Sequence, residues 1–212
     1  MHRWPPTGAF QPFNDTAADR YPRLFQFVQS ELGAGNALDI LSFGCSTGEE
    51  VFTLRRYFPR AAIRGIDINP RNIAICRRRL RAAADAKLSF AIANSTRAEP
   101  AAAYDAIFCM TVLCHGDLAL PGIPRCDHLI RFAEFAGVVA DFQRCLKPGG
   151  LLILAHSNFR LRDASAAAGF DTVLSIERPE AAKGRSIFGP DNRLIEEAAP
   201  KLDVVFRKKA RP

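Results

Sequence analysis

The residues best spaced for chemistry form a short glycine turn. Residues 44–50, Gly-Cys-Ser-Thr-Gly-Glu-Glu, follow an apolar run and precede an amphipathic stretch, an order typical of a strand, a turn and a helix. Gly44 and Gly48 allow the backbone to approach a bound molecule, because no Cβ obstructs it. Ser46 or Thr47 is expected to cap the helix. These residues alone leave a plain tight turn open as the alternative.

An acidic residue further along indicates what the turn would bind. Asp67 ends the next apolar run, 19 residues after Gly48, where a carboxylate can accept hydrogen bonds from ribose hydroxyls. The turn lacks the Gly-x-Gly-x-x-Gly spacing of dinucleotide sites, and no Gly-Lys-Ser/Thr follows for a P-loop. Glu49 and Glu50 would repel a pyrophosphate but suit a cationic ligand. An adenosine that carries a positive charge, S-adenosylmethionine, is therefore the ligand we expect.

These residues need a sheet to position them. Apolar runs alternate with amphipathic stretches, which predicts βαβ units, a mostly parallel sheet and helices on both of its faces. The later segments 172–176, 186–188 and 203–208 are expected to finish the sheet with antiparallel strands, with a turn at 189–192 between them. The predicted parallel strands are residues 37–43, 62–68, 88–93, 106–113 and 151–156. The predicted helices are residues 16–32, 49–58, 70–84 and 130–145.

With these elements in order, the sequence resembles a Rossmann-like (class I) S-adenosylmethionine-dependent methyltransferase from about residue 13 onwards. Three further stretches fit that superfamily, namely residues 104–109, the Leu-Lys-Pro-Gly-Gly run at 146–150 and the strand at 151–154. The resemblance implies an α/β, Rossmann-like methyltransferase fold. It also implies that the chain is an enzyme with S-adenosylmethionine as its cofactor.

Within that superfamily the chain is most similar to the chemotaxis receptor glutamate methyltransferases. Residues 45–50 resemble their glycine-loop motif, in which a Glu approaches the methionine end of the cofactor. Residues 14–20 match their Asn-x-Thr-x3-Arg motif, Asn94 matches their Asn beside the adenosine, and residues 108–113 resemble their fourth-strand motif. The turn and the resemblance together predict the cofactor-binding residues Asn14, Thr16, Arg20, Gly44, Cys45, Ser46, Gly48, Glu49, Asp67, Ile68, Asn94, Ser95, Met110 and Thr111.

The chain also departs from that family. The family's longer N-terminal helical domain and its small β insertion, which docks the receptor, have no counterpart here. Its fourth-strand motif continues to a catalytic Tyr, where His115 stands, and its Arg-Asn pair is replaced by Met110 and Thr111. The glutamate substrate therefore does not follow, and the acceptor remains either a small molecule or a protein side chain.

Two histidines are candidates for a base on the acceptor side. His115 follows the fourth predicted strand and His156 ends the fifth, so both lie at the ligand-bearing edge, and imidazole titrates near neutral pH. The alternative is that either ring only shapes the pocket. The Cys and His residues at 114–115 and 126–128 are spaced more loosely than zinc ligands usually are. No metal is therefore expected.

Composition sets the remaining limits. The chain has 212 residues and a formal net charge of +7, which fits one domain and permits an anionic partner without requiring one. The arginine run at 77–81 and the basic tail at 207–211 contain no interleaved aromatics, so solvated surface is favoured over nucleic-acid binding. No apolar run suits a bilayer and no signal peptide is evident, so no membrane partner is expected. Six cysteines without a Cys-x-x-Cys pair favour a reducing, cytoplasmic setting.

The sequence therefore predicts one catalytic domain with an N-terminal cover. Residues 1–35 are expected to form an arm and a helix that act as a cofactor lid, and residues 36–212 the S-adenosylmethionine-binding methyltransferase domain. The expected activity is methyl transfer to an unidentified acceptor. The alternative is a non-catalytic protein that uses the same fold to bind a cofactor or a partner. The oligomeric state stays open.

Overall fold

A seven-stranded sheet organises the computed structural model, which describes residues 10–12, 14, 16–120, 122–177, 186–196 and 201–210. The described strands are β1 (Asp39–Phe43), β2 (Ala62–Asp67), β3 (Leu88–Ile92), β4 (Tyr104–Met110), β5 (Leu146–Ala155), β6 (Phe170–Glu177) and β7 (Lys201–Lys208). The described helices are α1 (Pro22–Leu32), α2 (Glu49–Tyr57), α3 (Pro70–Ala83) and α4 (Phe132–Cys145). Short 3₁₀ turns cover residues 116–119, 161–163 and 165–169.

The strand order explains where a ligand would bind. The strands lie in the order β3-β2-β1-β4-β5-β7-β6, with β1 to β5 parallel and β7 antiparallel to both β5 and β6. The chain moves outwards from β1 to β3 and then returns to the other side of β1 with β4. In open α/β sheets this reversal opens a crevice at the carboxyl ends of the strands. The predicted α/β fold with an antiparallel finish is confirmed.

Alternating side chains bury both faces of the sheet. Ile107 and Phe108, neighbours on β4, are both fully buried on opposite faces of the sheet. Phe142 of α4 packs on the Ile107 face, and Phe25 of α1 and Leu54 of α2 pack on the Phe108 face. Full burial of such a side chain contributes roughly 1.5–3 kcal/mol. The result is a helix–sheet–helix sandwich that holds the strand ends rigidly.

Several element boundaries differ from prediction for local reasons. Helix α1 begins at Pro22 rather than residue 16, because Tyr21 takes the N-cap position and proline fits the first helical position. Neither Ser46 nor Thr47 caps α2, since Gly48 occupies the N-cap in a left-handed conformation and makes no side-chain cap. The predicted strand at 186–188 is only an isolated bridge between Phe188 and Leu194.

The strands around the crevice also shift. Strand β4 ends at Met110 rather than 113, because Thr111 turns into a left-handed conformation with φ +61°. Strand β5 begins at Leu146 rather than residue 151, so the Leu-Lys-Pro-Gly-Gly run belongs to the strand. The turn predicted at 189–192 is confirmed by the hydrogen bond from Asn192 N–H to the Gly189 carbonyl at 2.9 Å. Among the described helices, none is both long and apolar enough to cross a membrane.

Candidate functional site

A cavity opens at the reversal of strand order, between the ends of β1, β2 and β4 and the segment before α1. This segment, the N-terminal strap, comprises the described residues 10–12, 14 and 16–20. The strap lies over the glycine turn and α3, so the cavity has a sheet floor and a cover. Its lining residues are Phe10, Gln11, Pro12, Asn14, Thr16, Ala17, Asp19, Arg20, Tyr21, Phe25, Phe43, Gly44, Cys45, Ser46, Glu50, Asp67, Ile68, Asn69, Asn72, Ala93, Asn94, Met110, Thr111 and Val112.

The glycine turn follows β1 in a conformation that requires glycine at its first position. Gly44 has φ +74°, and a Cβ there would lie 2.4 Å from Val112 Cγ2. Its backbone N–H and that of Cys45 both donate to the Ile66 carbonyl, at 2.8 and 3.0 Å. These bonds fix the turn against the end of β2. The turn therefore lies close to Asp67, the last residue of that strand.

Asp67 accepts three hydrogen bonds that hold its carboxylate in one orientation. The backbone N–H of Ser46 donates to Oδ2 at 2.8 Å, and that of Asn69 donates to Oδ1 at 2.8 Å. Asn72 Nδ2 donates to Oδ1 at 3.1 Å. The side chain is almost completely buried but lines the cavity. A carboxylate offers about four acceptor positions, so one remains for a ligand hydroxyl.

Glu50 brings a second carboxyl group to the cavity. It accepts a hydrogen bond from Ser42 Oγ at 2.7 Å, and burial raises its pKa to about 7 despite that bond. Both glutamates of the turn were predicted to suit a cation, but only Glu49 was assigned to the cofactor. A carboxyl group with this pKa can gain a full negative charge when a cation binds beside it.

Glu49 does not line the cavity. Its carboxylate accepts hydrogen bonds from Thr47 Oγ1 at 2.6 Å and from Arg79 Nη1 at 2.7 Å on the outer side of α2. Burial opposes its ionisation, but the Thr47 and Arg79 contacts prevail and lower its pKa. Arg79 also donates to the Thr47 carbonyl at 2.7 Å. The helix turns this side chain away from the sheet edge and Glu50 towards it, and the cofactor role of Glu49 stays a prediction from the glycine-loop motif.

The strap brings the predicted residues Asn14, Thr16 and Arg20 to the cavity, although the Asn14 side chain is hydrogen-bonded to other side chains of the protein. Asn14 Oδ1 accepts from Ser46 Oγ at 2.8 Å, and Asn14 also pairs with Asn72. Thr16 and Arg20 line the cavity, and the Arg20 guanidinium lies 5.5 Å from the centre of the Tyr21 ring. The predicted lining residues thus include strap residues as well as turn residues.

Of the remaining predicted cofactor residues, some line the cavity and others lie outside its lining. Cys45, Ile68, Asn94, Met110 and Thr111 line the cavity. Gly48 and Ser95 do not, since Gly48 starts α2 on the far side of the turn and Ser95 follows Asn94 away from it. The Cys45 thiol stays protonated, because a hydrogen bond with Cys76 and burial raise its pKa.

His115 lies outside the cavity lining. The chain continues past β4 into the 3₁₀ turn at 116–119, where His115 takes the N-cap position and is buried. Its ring Nδ1 accepts a hydrogen bond from the Asp117 backbone N–H at 3.2 Å, and the His115 backbone N–H donates to Asn158 Oδ1 at 2.8 Å. The Nδ1 contact holds the ring against its own turn, and the role of His115 as a base stays a prediction. No group of three or more His, Cys, Asp or Glu side chains within the described ranges could hold a metal ion.

His156 lies nearer the cavity, behind Tyr21. The centres of the two rings are 5.3 Å apart, and the hydroxyls of Tyr21 and Thr111 form a hydrogen bond at 2.8 Å. Thr111 and His156 directly follow the adjacent strands β4 and β5, and both have left-handed backbones with φ +61° and +60°. Such strain at non-glycine residues is concentrated at functional sites. Sequence reasoning missed Tyr21 and Glu50, and only the pattern of two glutamates after the turn could have indicated Glu50.

The fold and the cavity define a class I methyltransferase-like α/β protein, and sequence comparison agrees. A family model described as "Methyltransferase domain" matches residues 41–152, just over half of the chain and the whole segment from β1 into β5. The chain therefore belongs to the methyltransferase domain family, as predicted. No curated protein matches it significantly.

Solved structures show the same fold at low sequence identity. A putative sarcosine dimethylglycine methyltransferase from Galdieria sulphuraria is 17% identical with a TM-score of 0.57, covering 77% of this chain and 65% of that one. The [4+2]-cyclase SpnF is 19% identical with a TM-score of 0.57, covering 80% and 64%. Haemonchus contortus phosphoethanolamine N-methyltransferase 2, in complex with S-adenosyl-L-methionine, is 14% identical with a TM-score of 0.50, covering 80% and 33%. The chain thus spans less than two thirds of each of these proteins.

Proposed function

We propose that this protein binds S-adenosylmethionine in the cavity and transfers its methyl group to an acceptor that enters beside Thr111. The observation that carries the proposal is the pair of carboxyl groups on one cavity, Asp67 below the glycine turn and Glu50 on the first turn of α2. Asp67 suits a ribose hydroxyl, and Glu50 suits a positive charge. S-adenosylmethionine carries both features in one molecule.

The cavity residues fit the cofactor group by group. Asp67, with its remaining acceptor position, would hold one ribose hydroxyl, and Ile68 and Asn94 would flank the adenine. Glu50 would face the cationic methionine end, next to the open turn at Gly44. When bound, S-adenosylmethionine supplies an activated methyl group, because its sulfonium leaves as a neutral thioether. The protein then needs only to align the acceptor and, where the acceptor requires it, remove a proton.

The acceptor side is proposed to lie where β4 and β5 end. Tyr21 and Thr111 line the cavity there, and His156 packs on the Tyr21 ring. His156 is the better candidate for an acceptor-side base, because the His115 ring bonds within its own turn. Tyr21 lies between His156 and the cavity, so a proton would leave through its hydroxyl or after a small ring movement.

Further parts of the proposal depend on sequence motifs. Residues 1–35 would form the cofactor lid, whose described parts include the strap and α1, and residues 36–212 the catalytic domain. The likeness to chemotaxis receptor methyltransferases would extend to the cofactor contacts of Asn14 and the glycine turn. The acceptor would be a small molecule or a protein side chain rather than a nucleic acid. Six buried free thiols support a reducing, cytoplasmic setting.

Calorimetric titration with S-adenosylhomocysteine, the demethylated product, tests the proposal. We expect micromolar binding by the wild-type protein. The Asp67→Ala variant should bind about 10- to 100-fold more weakly, since a hydrogen bond to a charged group contributes roughly 1.5–3 kcal/mol. Asp191→Ala, which changes an exposed carboxylate in the 189–192 turn, is the matched control and should bind normally. Equal affinity of the Asp67 variant and the wild type would refute the ribose role.

A second candidate is a different reaction, or none, on the same fold. The observation that favours it is the structural similarity to the [4+2]-cyclase SpnF, because this fold does not by itself fix the reaction. Incubation with methyl-labelled S-adenosylmethionine and pools of small molecules and proteins separates the candidates. Labelled product is the expected result. Tight binding without any transferred label across all pools would favour the second candidate.

A further inference from the structure

Four polar residues form a closed hydrogen-bonded ring beside the glycine turn. Asn14 and Asn72 form a reciprocal amide pair, in which each Nδ2 donates to the other Oδ1 at 2.8 Å. Asn72 Nδ2 also donates to Asp67 Oδ1 at 3.1 Å. Ser46 donates its hydroxyl to Asn14 Oδ1 and its backbone N–H to Asp67 Oδ2, both at 2.8 Å. The ring thus joins the strap, the turn and α3.

Asn72 is the central member of this ring. Its residue surface is only 3% exposed, whereas Asn14 is exposed. It contacts both the strap and the carboxylate through the same nitrogen. A buried amide that loses a partner carries a desolvation penalty, so the seated Asn14 stabilises Asn72 in this position. The strap therefore supports the residue that orients Asp67.

We infer that Asn72 is a positioning residue that couples the strap to the carboxylate proposed to hold the cofactor ribose. The inference rests on the cofactor role of Asp67 in the proposed function. With Asn14 seated, Asn72 holds Asp67 in the orientation that leaves one acceptor position open. Without Asn14, the Asn72 amide loses one donor and one acceptor and keeps its bond to Asp67, so it is held less firmly. Because linkage is reciprocal, cofactor bound at Asp67 also favours the seated strap.

A merely structural role makes a different prediction. If Asn72 only stabilised the start of α3, its removal would weaken binding by the same factor whether or not Asn14 were present. If Asn72 transmits the effect of the strap, removing Asn14 should weaken binding much less once Asn72 is absent than while Asn72 is present. A double-mutant cycle distinguishes these cases, because it measures the interaction and not the sum.

The experiment measures S-adenosylhomocysteine affinity by calorimetry for the full chain and for Asn14→Ala, Asn72→Ala and the double variant. We expect about fivefold weaker binding for Asn14→Ala and about tenfold for Asn72→Ala, as for one or two hydrogen bonds. The double variant should bind within about twofold of Asn72→Ala. Asn36→Ala, at an exposed asparagine after α1, is the matched control and should bind like the wild type.

The opposite results distinguish a failure of the coupling between Asn14 and Asn72 from a failure of the proposed function. The coupling would be overturned if the losses in affinity multiplied in the double variant, or if either single variant bound with wild-type affinity. In both cases, S-adenosylhomocysteine binding by the wild type would leave the proposed function intact. Absence of binding by the wild type would overturn both.

A second measurement remains informative if Asn72→Ala does not fold. In the wild type, S-adenosylhomocysteine should slow tryptic cleavage after Arg20 and Arg23 by at least threefold, since the bound ligand holds the strap in place. In Asn72→Ser, which keeps a small polar side chain, this protection should disappear when the ligand is present at saturating concentration. Equal protection of both proteins would contradict the inference.

Discussion

The two ends of the cavity are built differently. At the β1–β2 end, Asp67 is fixed by three hydrogen bonds from N–H groups, and the glycine turn is tied to the neighbouring strand. At the β4–β5 end, Thr111 and His156 have strained backbones, and the Thr111 hydroxyl forms a hydrogen bond with the Tyr21 hydroxyl. The first end suits one invariant ligand, whereas the second presents groups whose arrangement can be adapted to an acceptor.

Gly44 is where the two ends meet, so changing it should have the largest effect. In Gly44→Ala, the new Cβ would lie 2.4 Å from Val112 Cγ2, and φ +74° disfavours any residue with a Cβ. We expect a loss of roughly 2–4 kcal/mol in the free energy of unfolding. Urea denaturation measures it, with Gly35→Ala as control, because a Cβ at Gly35 meets nothing within 4 Å. Equal stability of the two variants would show that the ends are not packed together.

Glu50 should give the next largest effect, in a pH-dependent form. Below pH 7 its carboxyl group is protonated, and above pH 7 it carries the charge that a cationic ligand requires. S-adenosylmethionine affinity should therefore rise severalfold from pH 6 to pH 8 in the wild type. Glu50→Gln should bind with a flat pH profile and about tenfold more weakly at pH 8. Calorimetry at three pH values measures this, and an unchanged slope in the variant would contradict the role.

The raised pKa of Glu50 also makes the stability of the unliganded protein depend on pH. Because the pKa of Glu50 is about 7 in the folded protein and ordinary in the unfolded chain, the folded state binds its proton more tightly. The stability it contributes is complete at acidic pH and is lost as pH rises towards 7. Glu50→Gln should therefore stabilise the unliganded protein at pH 8, by on the order of 1–3 kcal/mol. Thermal melting at pH 5 and pH 8 compares the two proteins.

Tyr21→Phe tests the β4–β5 end of the cavity, and of these changes it should have the smallest effect on cofactor affinity. It removes the hydroxyl bonded to Thr111 but keeps the ring that packs on His156. S-adenosylhomocysteine affinity should change less than about threefold, while stability falls by about 1 kcal/mol. Methyl transfer to an identified acceptor should fall more than binding does. A tenfold loss of S-adenosylhomocysteine affinity would instead assign Tyr21 to the cofactor end.

Sequence reasoning reached the first end of the cavity better than the second. The turn at 44–48 and Asp67 could be predicted because glycine spacing and a strand-end acid are local signals with few meanings. Glu49 was assigned through the glycine-loop motif, and the predicted helix start at residue 49 agrees with α2, but the sequence does not show which of the two glutamates faces the sheet edge. The actual N-cap at Gly48 turns Glu50 towards the sheet edge.

The second end depends on contacts between distant segments. Tyr21 meets Thr111 across 90 residues of sequence, and no spacing rule reports that contact. The interpretation of His115 as a base assumed that the residue after β4 points into the crevice. The left-handed backbone at Thr111 redirects the chain, so His115 enters a buried turn.

A crystal structure of the wild-type protein with S-adenosylhomocysteine tests the central claim most directly. We expect a ribose hydroxyl within hydrogen-bonding distance of Asp67 Oδ2 and the amino group of the methionine end beside Glu50. The sulfur should face Thr111. A ligand bound with its ribose away from Asp67, or a crystal soaked at saturating concentration that shows this cavity empty, would contradict the account.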